Sequence, residues 1–179
     1  MTMPASRRLV LVRHAKSAYP AGVADHDRPL NERGRRDAPA IGRWLAGHLD
    51  LAGVRPPLVL VSSAVRAQQT WALASAELGG AWSTGAVRDE PRIYEAWVDT
   101  LLDVASGTPD EVDVLVMVGH NPGVATLVEA LCAPAHLVEE ATAAFPTSAI
   151  AVIDGIGDWA ALSARSADLV LAEFAVPRG

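Results

Sequence analysis

Leu9-Val10-Leu11-Val12-Arg13-His14-Ala15-Lys16-Ser17 decides how the rest of the chain is read. Four consecutive apolar residues predict a strand buried on both faces, and the run ends abruptly in Arg13-His14. In open α/β sheets, ligands collect just beyond the carboxyl ends of the strands. A permanent cation and a titratable nucleophile therefore reach that edge side by side.

Working outward, residues 15–29 carry Pro20, Gly22, Asp25, His26 and Asp27 and predict a polar loop over the strand end. Asn31 offers an N-cap to a helix with Ile41, Trp44, Leu45 and Leu49 at helical spacing. Gly34 and Pro39 interrupt that pattern and predict a broken or kinked start. A second buried strand, 58–61, runs into Ser62-Ser63, with Ser63 as N-cap of a helix to about Leu78 and Arg66 in its first turn. Gly79-Gly80 stops that helix. A short strand at 86–88 leads to Pro91-Arg92-Ile93-Tyr94-Glu95-Ala96, then a helix over 98–106 ends at Gly107.

Residues 114–118 form a third buried strand, which enters Gly119-His120-Asn121-Pro122-Gly123. Pro122 suits the first turn of a helix to about Cys132. Runs at 149–153 and 169–176 predict strands, with a weaker one at 159–162. Strands alternating with helices mean an α/β fold: a three-layer α/β/α sandwich around a mostly parallel sheet.

The bulk properties narrow the function. A chain of 179 residues, half of them hydrophobic, suits a single domain over 1–179 with a sizeable core. The apolar run before Arg13 is too short for a signal peptide, and no stretch approaches a membrane span, so a cytoplasmic protein is expected. A net charge of −6 argues against nucleic acid or an anionic membrane as partner. The single cysteine, Cys132, excludes an internal disulfide and is read as a buried helix residue.

Three buried strands thus finish at Arg13-His14, at Arg66 one helical turn on, and at His120. Right-handed crossovers put the carboxyl ends of parallel strands on one edge, where these side chains converge. Two guanidiniums and two imidazoles suit a multiply charged oxyanion, phosphate above all. Helix N-termini near Ser63 and Pro122 add backbone N–H groups. The arginines repel a divalent cation and two histidines fall short of a ligand set, so neither metal nor cofactor is expected. Neither glycine-rich nucleotide loop is present.

Leu11-Val12-Arg13-His14-Ala15-Lys16-Ser17, Arg28-Pro29-Leu30-Asn31-Glu32-Arg33-Gly34, Ser62-Ser63-Ala64-Val65-Arg66-Ala67-Gln68-Gln69-Thr70 and Val118-Gly119-His120-Asn121-Pro122 together resemble the histidine phosphatase (phosphoglycerate mutase-like) superfamily. The short chain and the Arg-His-Ala-Lys-Ser form are similar to its phosphohistidine phosphatase branch. The likeness spans nearly the whole chain. It implies a phosphoglycerate mutase-like fold and a metal-independent phosphatase in which His14 becomes phosphorylated. It also implies that Arg13, Arg66 and His120 bind the phosphoryl oxygens, with a further hydroxyl from Ser17. The substrate is then a phosphorylated protein or a small phosphorylated molecule, and inorganic phosphate is the product.

Phosphoryl transfer depends on positioning and on stabilising charge at three equatorial oxygens. His14 must attack while neutral, and the neighbouring arginines are expected to lower its pKa. Activity is then expected to fall on the acid side as His14 protonates, and not to stay flat to pH 4. His120, if protonated, supplies one more donor. Three carboxylates are candidates for the general acid: Glu95 first, then Asp27 and Asp25. Asn121 follows His120 where another branch has aspartate, which weakens ester cleavage and favours a phosphoramidate such as phosphohistidine. Only about twenty-five residues separate Arg66 from Pro91, which predicts an open site able to admit a side chain of another protein.

Other residues have simpler readings. Lys16 and Arg28 either tune the phosphate field or face water, and His26, His48 and His136 are read as surface residues. The alternatives to a phosphohistidine phosphatase are a phosphatase of small metabolite esters and a catalytically idle phosphate-binding module.

Overall fold

The apolar runs that end at Arg13-His14, at Ser62 and at Gly119-His120 become central strands of one six-stranded sheet. The computed structural model describes residues 7–51, 53–132, 136–164 and 169–179. Its strands are β1 (Arg7–Arg13), β2 (Leu58–Val61), β3 (Ala86–Asp89), β4 (Val114–Gly119), β5 (Ile150–Ile156) and β6 (Val170–Ala175), and its helices α1 (Glu32–His48), α2 (Val65–Ser75), α3 (Val98–Ser106), α4 (Gly123–Leu131) and α5 (His136–Ala143). The spatial order is β3-β2-β4-β1-β5-β6. The first four strands in that order pair in parallel, and β5 and β6 add antiparallel at one edge.

The two-residue period of the strands sorts their side chains into two cores. Val10, Val12, Val59, Val61 and Val116 meet Ile41 and Leu45 of α1 and Trp71 of α2. On the other face Leu9, Leu11, Leu60 and Met117 meet Leu101 of α3 and Leu127 of α4. Each such side chain contributes about 1.5–3 kcal/mol when fully buried, which explains why the central strands read as unbroken apolar runs. Among the described residues no helix is long and apolar enough to cross a membrane.

Register matters more for function than packing does. Arg13 lies opposite Gly119, and Val61 opposite Val118. The three central strands therefore end nearly flush. The backbone N–H of His14 donates to Gly119 and that of Ser62 to Val118, both at 3.0 Å. His14, Ser62 and His120 thus leave the sheet together.

Four local expectations are corrected. The first helix is unbroken: the Asn31 side chain caps it at the Gly34 N–H, and the helix runs through Pro39. Burial of Ala38, Ile41 and Leu45 outweighs the one hydrogen bond that Pro39 removes. Gly34 marks a close approach, because a Cβ there would lie 2.1 Å from the Lys16 carbonyl oxygen. Ser63 does not cap α2: the cap position is Ala64, without a side-chain bond, and the helix stops at Ser75. Residues 159–162 form a turn and not a strand. There the fully buried Trp159 donates its indole N–H to the Val112 carbonyl at 2.8 Å and acts as a plug. Helix α5 gave no signal that the sequence pattern singled out.

Candidate active site

The imidazole of His14, 7% exposed, lies just past the end of β1. Its Nδ1 is 2.7 Å from the carbonyl oxygen of Ala15, an acceptor only, so Nδ1 carries the proton. Nε2 is left with its lone pair. Arg66, in the first turn of α2 and 6% exposed, points its Nε–H at that nitrogen from 3.3 Å. Thr70, one turn along α2, ties the two elements together: its hydroxyl oxygen accepts the Ala15 N–H at 3.0 Å and donates to the Arg66 carbonyl at 2.6 Å.

His120 follows β4, its ring centroid 5.0 Å from that of His14. Its Nε2 is 2.7 Å from the hydroxyl of Ser62, while Nδ1 is buried without a partner among the described residues. Arg13 points its Nη1–H at the carbonyl of Phe145, 2.5 Å away, and its buried Nε has no partner among the described residues. The amide of Asn121 donates to the same carbonyl at 2.9 Å.

Of the candidate acids, Asp25 is the most engaged. Its carboxylate accepts from Arg66 Nη2 at 2.9 Å, from the Tyr94 hydroxyl at 3.0 Å and from Arg28. Burial alone would raise the Asp25 pKa, but these donors and their charges hold it below the usual range. Asp27 instead pairs with His26 Nδ1 at 3.1 Å. Glu95 stands in the left-handed region with φ 52°, an uncommon conformation for a residue with a Cβ and one that concentrates at functional sites. It lines a cavity of about 530 Å³ together with Asp25, Arg66, Trp97, His120 and Asn121. A larger cavity, about 670 Å³, lies by the C-terminus of α1, but no arginine lines it and it has none of the convergent groups above.

Ser17 is buried and its hydroxyl accepts from Arg28 Nη2 at 2.6 Å. Arg28 also stacks on Tyr19 at 3.7 Å. Residue types alone missed three members of the site: Ser62, His26 and Tyr94. His26 meets the Ser63 hydroxyl at 3.0 Å and packs edge-on against Tyr94 at 4.9 Å. Tyr94 also packs edge-on against His120 at 5.7 Å. Ser62 could have been found by the strand-end logic that found His14.

Electrostatically, both imidazoles are held neutral. Burial pushes His14 down to about 3, reinforced by His120, Arg66 and Arg13 and opposed by the hydrogen bond to Ala15. Burial likewise pushes His120 down to about 4, with Arg66 next and Asp25 opposing. The expected direction for His14 holds, but burial and not the arginines is the largest cause. With no phosphoryl group in the site, His120 is therefore held as a neutral group. Cys132 is also buried, its thiol pushed up to about 11, so it holds no thiolate near neutral pH. Among the described residues no cluster of three or more metal-ligating side chains occurs.

Known proteins share this arrangement of elements. Residues 9–113 match the histidine phosphatase superfamily (branch 1). An uncharacterized protein of Mycobacterium tuberculosis is 39% identical over 171 residues, covering 93% of this chain and all of that one. A solved chain assigned as the phosphohistidine phosphatase SixA of Nakamurella multipartitia is 29% identical with a TM-score of 0.79, each chain covered over 96% of its length. The protein histidine phosphatase SixA, solved with tungstate, is 25% identical with a TM-score of 0.70, covering 95% of this chain and 97% of that one. A phosphoglycerate mutase of Plasmodium falciparum, 17% identical with a TM-score of 0.62, shares the fold. With a family match across more than half its length and a full-length relative, the chain belongs to the histidine phosphatase superfamily, branch 1, and is a phosphatase of phosphoglycerate mutase-like fold.

Proposed function

We propose that this phosphatase works through a covalent phosphohistidine at Nε2 of His14 and acts on phosphohistidine in proteins. The observation that carries the proposal is the fixed ring of His14: Nδ1–H on the Ala15 carbonyl, the Nε2 lone pair facing Arg66. In the first step that lone pair attacks phosphorus, the P–N bond to the substrate breaks, and the leaving imidazole takes the electron pair and a proton from solvent. His14 keeps its Nδ1 proton, so the phosphorylated ring is cationic and a good leaving group. Water then attacks phosphorus, the bond to His14 breaks and inorganic phosphate departs with His14 neutral again. Arg13, Arg66 and His120 surround the phosphoryl oxygens, and the two guanidiniums take the part that a divalent cation plays in other phosphatases. The Ser17 hydroxyl, held by Arg28, is a further candidate donor to the phosphoryl group.

Two features favour a phosphorylated protein. The solved relatives carry that assignment. Trp97 lines the cavity yet is 73% exposed, an aromatic surface suited to another protein. Glu95 on the cavity wall favours a second reading, hydrolysis of small phosphate esters with this carboxyl as acid.

The test is transfer of labelled phosphate from a phosphohistidine protein. Label on His14 that is stable in alkali, labile in acid and missing from His14→Asn is expected. Tight phosphate binding without label would leave a binding module. Faster turnover of sugar phosphates than of the phosphoprotein would favour the ester reading.

A further inference from the structure

The guanidinium of Arg66 is held on two edges. Its Nε–H faces His14 Nε2, while Nη2–H donates to the Asp25 carboxylate at 2.9 Å and Nη1–H to the Asp25 backbone carbonyl at 2.5 Å. Asp25 opens a single 3-10 turn, Asp25–Asp27, in the loop over the sheet edge. Tyr94 and Arg28 fix its carboxylate further. A planar fork gripped along one edge presents only what remains, so this pairing selects which N–H of Arg66 looks at the nucleophile. The same carboxylate is an anion, and any phosphoryl oxygen bound by Arg66 shares that cation with it.

Resting on the function proposed above, we infer that Asp25 is a positioning residue with two opposed effects. It aligns Arg66 with His14 for the transfer step, and it weakens the grip of the site on the phosphoryl dianion. The second effect eases departure of inorganic phosphate, the product that the same cations would otherwise retain.

The experiment uses the full chain and Asp25→Asn, with kcat measured on a phosphohistidine protein and inorganic phosphate binding measured by calorimetry. Loss of alignment is expected to lower kcat about tenfold. Loss of the competing charge is expected to tighten phosphate binding roughly three- to fivefold. Tyr94→Phe, which removes one donor and leaves the charge, is expected to lower kcat by only about twofold and leave phosphate affinity unchanged. A merely structural role would weaken turnover and phosphate binding together, which would overturn the inference. So would an Asp25→Asn variant with unchanged kcat or unchanged phosphate affinity. A wild type that binds phosphate without turnover would overturn the proposed reaction instead, and the two failures are thereby told apart.

Discussion

Nε of Arg66 stands 3.3 Å from Nε2 of His14, and Nδ1 of the same ring stands 2.7 Å from the Ala15 carbonyl oxygen. The imidazole is thus gripped between a donor that cannot lose its proton and an acceptor that cannot gain one. That arrangement admits one tautomer, with the lone pair facing the Arg66 guanidinium. It also makes the geometry of a single guanidinium decisive.

Arg66→Lys tests this directly. A lysine ammonium is a point charge on a flexible stem, unable to meet His14 and Asp25 with a rigid fork. Steady-state kcat/KM is expected to fall about a hundredfold, the usual scale for losing one preorganised donor. A lysine enzyme within threefold of wild type would show that charge alone suffices.

Protonation offers an independent check. In the unfolded chain each imidazole takes its ordinary value near 6.5, while the folded chain holds His14 at about 3 and His120 at about 4. The unfolded state therefore binds more protons between those limits. Stability is full above about pH 6.5 and is lost as pH falls towards 3–4. Calorimetry of wild type and His14→Asn from pH 8 to 4 is expected to show a shallower acid decline in Tm for the variant; parallel curves would refute it. The acid limb of kcat/KM from His14 is expected only near pH 3, lower than the sequence suggested. The arginines could be read from residue types, but the burial that dominates the shift could not.

The same distinction runs through the molecule. Most strands, and Arg13, His14, Arg66 and His120 as candidates, were legible because an apolar run that breaks at polar residues is a local pattern. Helix α3 was legible over its full span, since its apolar spacing and terminal Gly107 agree. What stayed hidden depends on contacts distant in sequence. Tyr94 reaches Asp25 across 69 positions and Ser62 reaches His120 across 58, and neither partner is announced by its neighbours. Pro39 and Gly34 misled for the same reason: propensity is local, whereas the packing that overrode it is not.

Glu95→Gln separates the two substrate classes. If the Glu95 carboxyl protonates an ester oxygen, the amide is expected to slow phenyl phosphate hydrolysis about a hundredfold. Phosphohistidine, whose P–N bond is labile, is expected to lose less than about threefold. Equal losses on both would mean that Glu95 serves something other than the leaving group.

Gly34→Ala sets helix propensity against packing. In an isolated helix alanine is favoured over glycine by about 1 kcal/mol, so a surface view of α1 predicts stabilisation. The structure predicts the reverse. The new methyl would sit 2.1 Å from the Lys16 carbonyl oxygen, which also accepts the Asn31 N–H at 3.0 Å. Either α1 or the segment that follows His14 must retreat, and overpacking of this kind typically costs about 1–3 kcal/mol. Urea denaturation is expected to show that loss, with a fall in kcat as the Ala15 carbonyl shifts from His14. A variant as stable as wild type would mean that the loop and helix yield freely, and that the His14 ring is not anchored as tightly as its hydrogen bonds imply.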